Sequence, residues 1–450
     1  MHSGNILLAA LVLAATTASA QYAGWAYTRK IVMNTSASGA NVTGEVKNFP
    51  VAVRLTAGSF NFAQAKPDGA DLRFSSSAGA PLPYEIESWD AGGQKATVWV
   101  KTDVKGSDAS QFINLHWGNA AASTESDGKK VFAKADGWVG AWHLADKAGA
   151  AGAFKDATEN AKHGTGMGFT GNESPVAGPF GPAVDLKRSS KQYVYIPQSE
   201  GGIYTLNSSA TYSIWVNTRS QGIEYQAMFA KGEGGFRLHY FGVADWSSHG
   251  GRYIAETCLD PGDMCTPPTP YATAADIKPG TWFLLGLVHA NNRQIYYVDG
   301  KVEEEVGSSG VSSGSEPVTI GNNEKAAGGN SRNRSHDGLL DEARILSAGK
   351  DAHWMKLDYE SQKPDSKFLA FDGSVNLFHP DLKDAPLAPG TYSIRRYNIS
   401  GRLLASVRST GNLQADFAEL ARTAGPGLYF DRFVGDNGVV FRQSGASLLP

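Results

Sequence analysis

One part of the chain, residues 237–241, 245–249 and 252–253, combines flat aromatic side chains with groups that form hydrogen bonds. Aromatic rings can stack on the apolar faces of sugar rings, and carboxylate, imidazole and guanidinium groups can hydrogen-bond to hydroxyls. We therefore predict a sugar-binding site with Trp246 as its stacking residue. The predicted ligand-binding residues are Trp246, Tyr240, His249, Arg252 and Asp245. In the alternative interpretation, Tyr240 and Phe241 fill a core and Trp246 covers a loop.

The acidic residues offer no simple catalytic pair. Hydrolysis of a glycosidic bond needs two carboxylates about 5 to 9.5 Å apart across a cleft. Asp341 and Glu342 are adjacent, so on a regular strand they point to opposite faces. The run 303–305 follows a hairpin turn and is typical of a solvated sheet edge. Glu85 and Glu87 share one strand face, and a structural role is favoured for them. Whether the protein is an enzyme is left uncertain, and a non-catalytic protein is favoured.

Cys258 and Cys265 are the only two cysteines, and Pro261-Gly262 lies between them. A Pro-Gly turn between two cysteines favours a local disulfide in an oxidising compartment. Free thiols are the alternative. Metal binding by the cysteines would require more Cys or His ligands nearby.

The first 20 residues are typical of a secretory signal peptide. Residues 6–15 are apolar, and Ala18-Ser19-Ala20 provides small residues for cleavage before Gln21. No later segment is long and apolar enough to span a bilayer. The net charge of −3 provides no basic field for nucleic acid or anionic membranes. We expect a protein that is secreted or held at the cell surface after cleavage.

Short alternating segments separated by turn residues predict an all-β protein. In residues 21–133, the segments 51–56, 97–101 and 112–119 predict an N-terminal β-sandwich. Residues 134–367 form a second region, 368–387 a linker, and 388–450 a small C-terminal β-domain, a β-sandwich in our prediction.

Part of the N-terminal region resembles a known family. Segments 70–74, 82–90, 98–101 and 116–119 are similar to a bacterial extracellular domain of unknown function. That domain commonly stands directly ahead of a laminin-G-like domain, and the resemblance implies no chemistry.

The second region resembles a laminin-G-like (concanavalin A-like) jelly roll. Segments 137–144 and 338–345 resemble its first and last strands, which the fold places side by side. Further similar segments are 192–197, 212–216 and 281–289, and Asp299-Gly300 predicts a two-residue hairpin. A short helix is expected from Asp351 to Tyr359. Core positions are expected for Trp142, Trp215 and Trp282.

The laminin-G-like resemblance also implies a metal site, and the C-terminal region has a resemblance of its own. Many laminin-G-like domains hold one Ca²⁺, which prefers oxygen ligands. Asp156 lies in a segment that resembles the family's early loop, and Asp341 is its candidate partner from the last strand. An edge-strand carboxylate without metal is the alternative for Asp341. The C-terminal region resembles β-domains that some Gram-negative bacteria use for sorting or attachment.

These observations lead to three hypotheses about function. The first is a secreted, non-catalytic protein that binds or adheres to a polysaccharide or a cell-surface glycan through the jelly roll. The second is a divergent polysaccharide-degrading glycoside hydrolase. The third is a structural cell-surface protein.

Overall fold

The structure is a computed structural model of the 450-residue chain. The residues that it describes are 21–22, 24–197, 209–221, 225–232, 235–242, 250–257, 271–273, 277–308, 316–325, 327–329, 333–372, 376–377, 392–398, 402–408, 416, 419–420, 422, 427–435 and 440–447. The predicted signal peptide lies outside these residues. Among the described helices, none has the length and apolarity that a membrane crossing requires.

The N-terminal region forms two antiparallel sheets around an apolar core, as the alternating segments predict. Val51, Val53 and Leu115 are fully buried between them. Its strands and helix are β1 (Tyr27–Met33), β2 (Val46–Thr56), β3 (Arg73–Ser76), β4 (Pro81–Leu82), β5 (Tyr84–Asp90), β6 (Lys95–Val104), β7 (Phe112–Trp117) and α1 (Gly128–Val131), with a 3₁₀ turn at Phe62–Gln64.

The second region is the predicted jelly roll. Its elements are β8 (Trp138–Trp142), β9 (Thr165–Met167), β10 (Val176–Ala177), β11 (Pro182–Leu186), β12 (Tyr193–Ile196), β13 (Ala210–Thr218), β14 (Tyr225–Lys231), β15 (Phe236–Phe241), β16 (Arg252–Thr257), β17 (Tyr271–Thr273), β18 (Phe283–Ala290), β19 (Arg293–Val298), β20 (Lys301–Gly307), β21 (Val318–Ile320), β22 (Gly338–Leu346) and α2 (Ala352–Gln362). Further 3₁₀ turns lie at Lys134–Asp136 and Arg188–Ser190.

Two sheets stack to form the jelly roll. One has the order β10-β11-β22-β13-β18-β19-β20 with β8 also paired to β22, and the other has the order β17-β16-β15-β14-β21-β12-β9. The core between them includes Ile214 and Leu285 from the first sheet and Leu238 and Tyr253 from the second. Ile345 pairs with Gly140. The prediction that the outermost strands lie side by side is thus confirmed.

Local features of the jelly roll also match the prediction. Asp299 and Gly300 both have positive φ (52° and 71°), as a two-residue hairpin turn between β19 and β20 requires. The expected helix is α2, and Asp351 caps it by accepting a hydrogen bond from Trp354 N. Trp142 and Trp215 are buried as predicted. The core position predicted for Trp282 is wrong, because this residue precedes β18 and is partly exposed.

Two short strands, β23 (Leu369–Phe371) and β24 (Asn376–Leu377), follow the jelly roll and return to the N-terminal sheet. Both pair with β1, and Ile31 lies opposite Phe371. The six-stranded sheet therefore has the order β23-β1-β7-β3-β4, with β24 also on β1, and it faces the sheet β2-β6-β5. These strands lie within residues 368–387, which the sequence placed in a linker.

The first domain and the jelly roll share one apolar cluster. Val51 and Val53 of the first domain pack in the same cluster as Val288, Leu346 and Leu357 of the jelly roll and its helix. The ring centroids of Phe49 and Trp354 are 5.8 Å apart across this boundary. The outer face of the eight-stranded sheet is therefore covered by α2 and the first domain.

The C-terminal region contributes a separate four-stranded antiparallel sheet. Its strands are β25 (Tyr392–Asn398), β26 (Leu403–Arg408), β27 (Gly427–Gly435) and β28 (Val440–Ser447), in the order β26-β25-β27-β28. The β-domain predicted for residues 388–450 thus contains four strands among the described residues. A role in sorting or attachment stays a prediction.

Burial of β22 gives a first test of the fold. Ile345 is fully buried in the jelly-roll core, so Ile345→Ala should lower the free energy of unfolding by about 2–5 kcal/mol. Val302→Ala is the control, because Val302 is 51% exposed on the edge strand β20, and it should change stability by less than about 0.5 kcal/mol. Urea unfolding followed by tryptophan fluorescence measures both. Equal effects of the two substitutions would contradict this placement of β22.

Candidate functional site

The outer face of the seven-stranded sheet carries polar and aromatic side chains. Along β15, Phe236, Leu238 and Tyr240 point into the core, so Arg237, His239 and Phe241 lie on the opposite face. Pairing with β16 places Glu256 opposite Arg237 and Arg252 opposite Phe241. Directly opposed residues of neighbouring strands share a face.

Three of these side chains form a buried ionic group. Arg237 forms an ion pair with Glu256 Oε1, and His239 Nε2 lies 3.1 Å from the same oxygen. Burial raises the pKa of Glu256, but Arg237 and His239 more than offset this, so the pKa lies below its ordinary value. Burial lowers the pKa of His239, although Glu256 opposes the shift. Glu256 is therefore held as an anion whose position is fixed by its neighbours.

Beside this group lie two partly exposed aromatic rings. The ring centroids of Phe241 and Tyr225 are 5.0 Å apart, and those of Phe241 and His239 are 4.7 Å apart. The Arg334 guanidinium lies 5.8 Å from the Tyr225 ring centroid, and Arg252 is partly exposed opposite Phe241. We call Tyr225, Phe241, Arg252 and Arg334, together with the buried Arg237, His239 and Glu256, the aromatic–arginine face.

The structure separates the predicted sugar-binding residues. Tyr240 is 1% exposed, packs 4.9 Å from Tyr253 between ring centroids, and donates a hydrogen bond to Gln221 O. It therefore belongs to the core, as the alternative interpretation held for that residue. Arg252 lies on the aromatic–arginine face. The remaining predicted positions, Asp245, Trp246, His249, Cys258 and Cys265, lie outside the described residues.

Sequence reasoning missed three members of this face: Tyr225, Glu256 and Arg334. Tyr225 and Glu256 are brought to Phe241 and Arg237 by strand register, which the sequence did not reveal. The period-2 pattern of residues 236–241 could have placed Phe241 outside the core, because it alternates with Tyr240.

A second polar group lies between the two domains. His143, directly after β8, has Nδ1 2.7 Å from Glu342 Oε1 and Nε2 3.2 Å from Glu85 Oε2. Glu87 Oε2 lies 3.9 Å from His143 Nδ1 and accepts a hydrogen bond from Trp99 Nε1. Glu85 and Glu87 therefore share a face, as predicted, and that face meets the jelly roll.

The same group continues through Arg344 to α2. Arg344 donates to Glu342 Oε2 (2.7 Å) and to Asp358 Oδ1 (2.6 Å), and its guanidinium lies 4.5 Å from the Trp99 ring centroid. The side chains of Arg344, Glu342 and Asp358 are each 1% exposed. We call Glu85, Glu87, His143, Asp341, Glu342, Arg344 and Asp358 the interdomain ionic cluster.

A β-bulge brings Asp341 and Glu342 to the same side of the sheet. Ser213 pairs with Arg344 and Trp215 with Asp341, so Ile214 lies opposite two residues, and Glu342 has φ 51°. The prediction that these adjacent carboxylates point to opposite faces is therefore wrong. The edge-strand alternative for Asp341 is also wrong, because β22 lies inside the sheet between β11 and β13.

The protonation of the cluster follows from burial and neighbouring charge. Burial and the charge of Glu342 raise the pKa values of Glu87 and Asp341 well above their ordinary range. Burial would raise the pKa of Glu342 as well, but His143 and Arg344 lower it. Burial disfavours the charged imidazole, yet Glu342 and Glu85 raise the pKa of His143 well above its usual value.

The residues at Asp156 do not fit the implied calcium ion. The Asp156 carboxylate accepts hydrogen bonds from Ala141 N, Thr158 N, Thr158 Oγ1 and Lys162 N at 2.9 to 3.1 Å. A carboxylate has about four lone-pair sites, so these donors occupy it. Asp156 thus ties its own loop to β8, and the calcium expectation finds no support there.

The interdomain ionic cluster predicts that Arg344 contributes much more to stability than the exposed Arg293. Arg344→Met leaves Glu342 and Asp358 buried without their cation, which should lower stability by about 3–5 kcal/mol. Arg293→Met removes a half-exposed pair with Glu305 on the same sheet and should cost at most about 1 kcal/mol. Chemical denaturation of both variants measures the difference. Similar losses in both would show that burial does not determine the contribution of Arg344.

Comparisons with solved structures give only distant likenesses. Domain 4 of AbnA, an arabinanase from Geobacillus stearothermophilus, in complex with arabinotriose, is 14% identical with a TM-score of 0.34, covering 50% of this chain and 98% of that one. The binding domain of Paraclostridial Mosquitocidal Protein 1 is 14% identical (TM-score 0.38, 69% and 68% covered). The ligand binding domain of botulinum neurotoxin serotype D, in complex with N-acetylneuraminic acid, is 10% identical (0.37, 68% and 73%). Scores this low do not establish a shared function.

Family models give a firmer result, although no curated protein matches the chain. Residues 68–145 match the model of a domain of unknown function, DUF2341. Residues 188–352 match the model described as the concanavalin A-like lectin/glucanases superfamily. Both matches agree with the β-sandwich and the jelly roll described above. The chain therefore carries a DUF2341 domain followed by a domain of the concanavalin A-like lectin/glucanases superfamily.

Proposed function

We propose that this protein is an exported, non-catalytic glycan-binding protein that holds polysaccharide on its aromatic–arginine face. The observation that carries the proposal is the pair of partly exposed rings, Tyr225 and Phe241, flanked by Arg252 and Arg334. Rings offer an apolar surface to a sugar, and guanidinium groups donate several hydrogen bonds in a fixed plane.

The architecture favours this face over the other sheet. The eight-stranded sheet has its outer side covered by α2 and the first domain. The aromatic–arginine face lies on the opposite sheet of the sandwich, so the ligand meets the molecule on the side away from the first domain. The buried Arg237–Glu256–His239 group holds the strands behind the rings in a fixed position.

The composition of the face favours binding without hydrolysis. Within β14, β15 and β16, Glu256 is the single carboxylate. Its pKa is held below the ordinary value by Arg237 and His239 after burial has raised it, so it is an anion. A glycosidase needs a second carboxylic acid that can donate a proton, and these three strands supply none.

Placement outside the cytoplasm belongs to the same proposal. Residues 1–20 have the composition of a secretory signal, and polysaccharides and surface glycans are ligands met after export. The proposal assigns attachment at the cell surface to the C-terminal β-sheet, on the resemblance of that region to sorting or attachment domains.

The proposal is tested by retention on insoluble polysaccharides. Phe241→Ala and Arg252→Ala should each weaken retention about 10- to 100-fold, because a stacked ring and a donor beside it are lost. Phe112→Ala is the matched control, since Phe112 is also a partly buried phenylalanine on a strand but lies in the first domain. Trp246→Ala tests the contribution predicted from the sequence. Pull-down assays with a panel of plant and bacterial glycans measure all four variants.

Two results would contradict the proposal. Retention that persists in both face variants would place the glycan elsewhere. Release of reducing ends from any glycan by the wild-type protein would instead support the hydrolase hypothesis.

A further inference from the structure

We propose that the interdomain ionic cluster is a binding site for one divalent transition-metal cation, Mn²⁺ or Zn²⁺, held by Asp341, Glu87, Glu342 and His143. The site would join a strand of the first domain, β5, to the last strand of the jelly roll, β22. It is independent of the glycan-binding proposal.

The first observation is a set of buried oxygens without partners. Asp341 is 0% exposed, and neither of its carboxylate oxygens has a hydrogen-bond partner. Glu87 Oε1 is likewise buried without a hydrogen-bond partner. Buried polar groups are nearly always paired, because leaving one unpaired costs the full loss of its hydration. Asp358 Oδ2, at the α2 end of the cluster, is a fourth such atom. The three on Asp341 and Glu87 point to a ligand that they coordinate.

The second observation is the spacing of the donor atoms. One ligand atom each from Glu87, His143 and Glu342 lie within 4.8 Å of one another. Two donor atoms bound to one metal at about 2.0–2.2 Å lie at most roughly 4.4 Å apart. The three donor atoms would therefore have to move only slightly closer together to bind a metal. Asp341 is not one of these three ligands, but the charges of Glu342, Glu87 and His143 all shift its pKa, so its unpartnered carboxylate lies in the same buried cluster.

A tight turn lies against the carboxylates of Asp341 and Glu87. Gly178 N donates to Gly181 O (2.8 Å) between β10 and β11. A Cβ atom at Gly178 would overlap Asp341 Oδ2, and one at Gly181, where φ is 120°, would overlap Glu87 Oε1. Glycine at both positions therefore keeps space for the two carboxylates beside each other.

The charge of the cluster favours a divalent cation. Its five carboxylates, Glu85, Glu87, Asp341, Glu342 and Asp358, face two guanidinium groups, Arg54 and Arg344. Burial and neighbouring charge favour protons on Glu87, Asp341 and His143, so metal binding would release them. With those protons gone, three negative charges remain, and a divalent cation reduces them to one. Glu85 can retain that charge, because its side chain is 17% exposed whereas the Glu87 side chain is 1% exposed.

The donor set distinguishes between metals. One imidazole nitrogen with several carboxylate oxygens suits Mn²⁺ or Zn²⁺, whereas Ca²⁺ takes oxygen ligands only. In this arrangement His143 would bind through Nδ1 while Nε2–H donates to Glu85, a contact that fixes the ring orientation.

The experiment uses the mature full chain after treatment with EDTA. Calorimetric titration with MnCl₂ or ZnCl₂ should show one site, and Tm should rise by about 3–5 °C at a free-metal concentration about 100 times Kd. Added EDTA should reverse the rise. Asp341→Asn and Glu87→Gln should each weaken binding at least about 10-fold, and Glu303→Gln, an exposed carboxylate on β20, is the matched control.

Circular dichroism confirms that each variant is folded before titration. If neither metal binds to the folded wild-type protein, the proposal is overturned. The buried carboxylates would then be stabilised by protonation and not by a metal ion. Binding that is unchanged in both Asp341→Asn and Glu87→Gln would also overturn it. A site that takes CaCl₂ in preference to both metals would overturn the assignment of His143 as a ligand.

Discussion

The burial of β22 on both faces is the constraint on which the rest of the structure depends. Leu340, Ala343 and Ile345 point into the jelly-roll core, whereas the other face of the strand carries Asp341, Glu342 and Arg344. Charged groups on an interior strand cannot remain buried without counter-charges. Glu85 of the first domain pairs with His143 beside this strand, and Asp358 of α2 pairs with Arg344, so the jelly roll and the first domain stabilise each other across β22.

This constraint also decides which surfaces can meet a ligand. Charged and apolar residues of the eight-stranded sheet face the first domain. That side of the jelly roll therefore forms the interdomain contact and is covered. The seven-stranded sheet has no such partner among the described elements, and its outer face presents aromatic rings beside arginines. A charged group such as Arg237–Glu256 is tolerated behind those rings because each of its members is paired.

Features that depend on local pattern were predictable from the sequence. They include the terminal strands, the Asp299-Gly300 hairpin and the helix after Asp351, because each depends on alternation, a turn dipeptide or a cap. The bulge at Glu342 was not predictable, since a positive φ at a glutamate leaves no mark in strict alternation. Tyr225 and Glu256 reach the candidate site only through cross-strand register. Strands as short as Leu369–Phe371 carry too little pattern to distinguish them from a linker.

Strand order implies that the two modules are interdependent in folding as well as in contact. The chain leaves the N-terminal sheet after β7, builds the whole jelly roll, and then returns to pair β23 and β24 with β1. Helix α2, which precedes this return, touches both domains: Ser361 Oγ accepts from Ala52 N, and Gln362 Oε1 accepts from Trp215 Nε1. The sheet of the first domain is therefore complete only when the jelly roll has brought β23 and β24 back to β1. A jelly roll inserted into another domain in this way has its orientation fixed at both ends, which keeps its seven-stranded sheet turned away from the first domain.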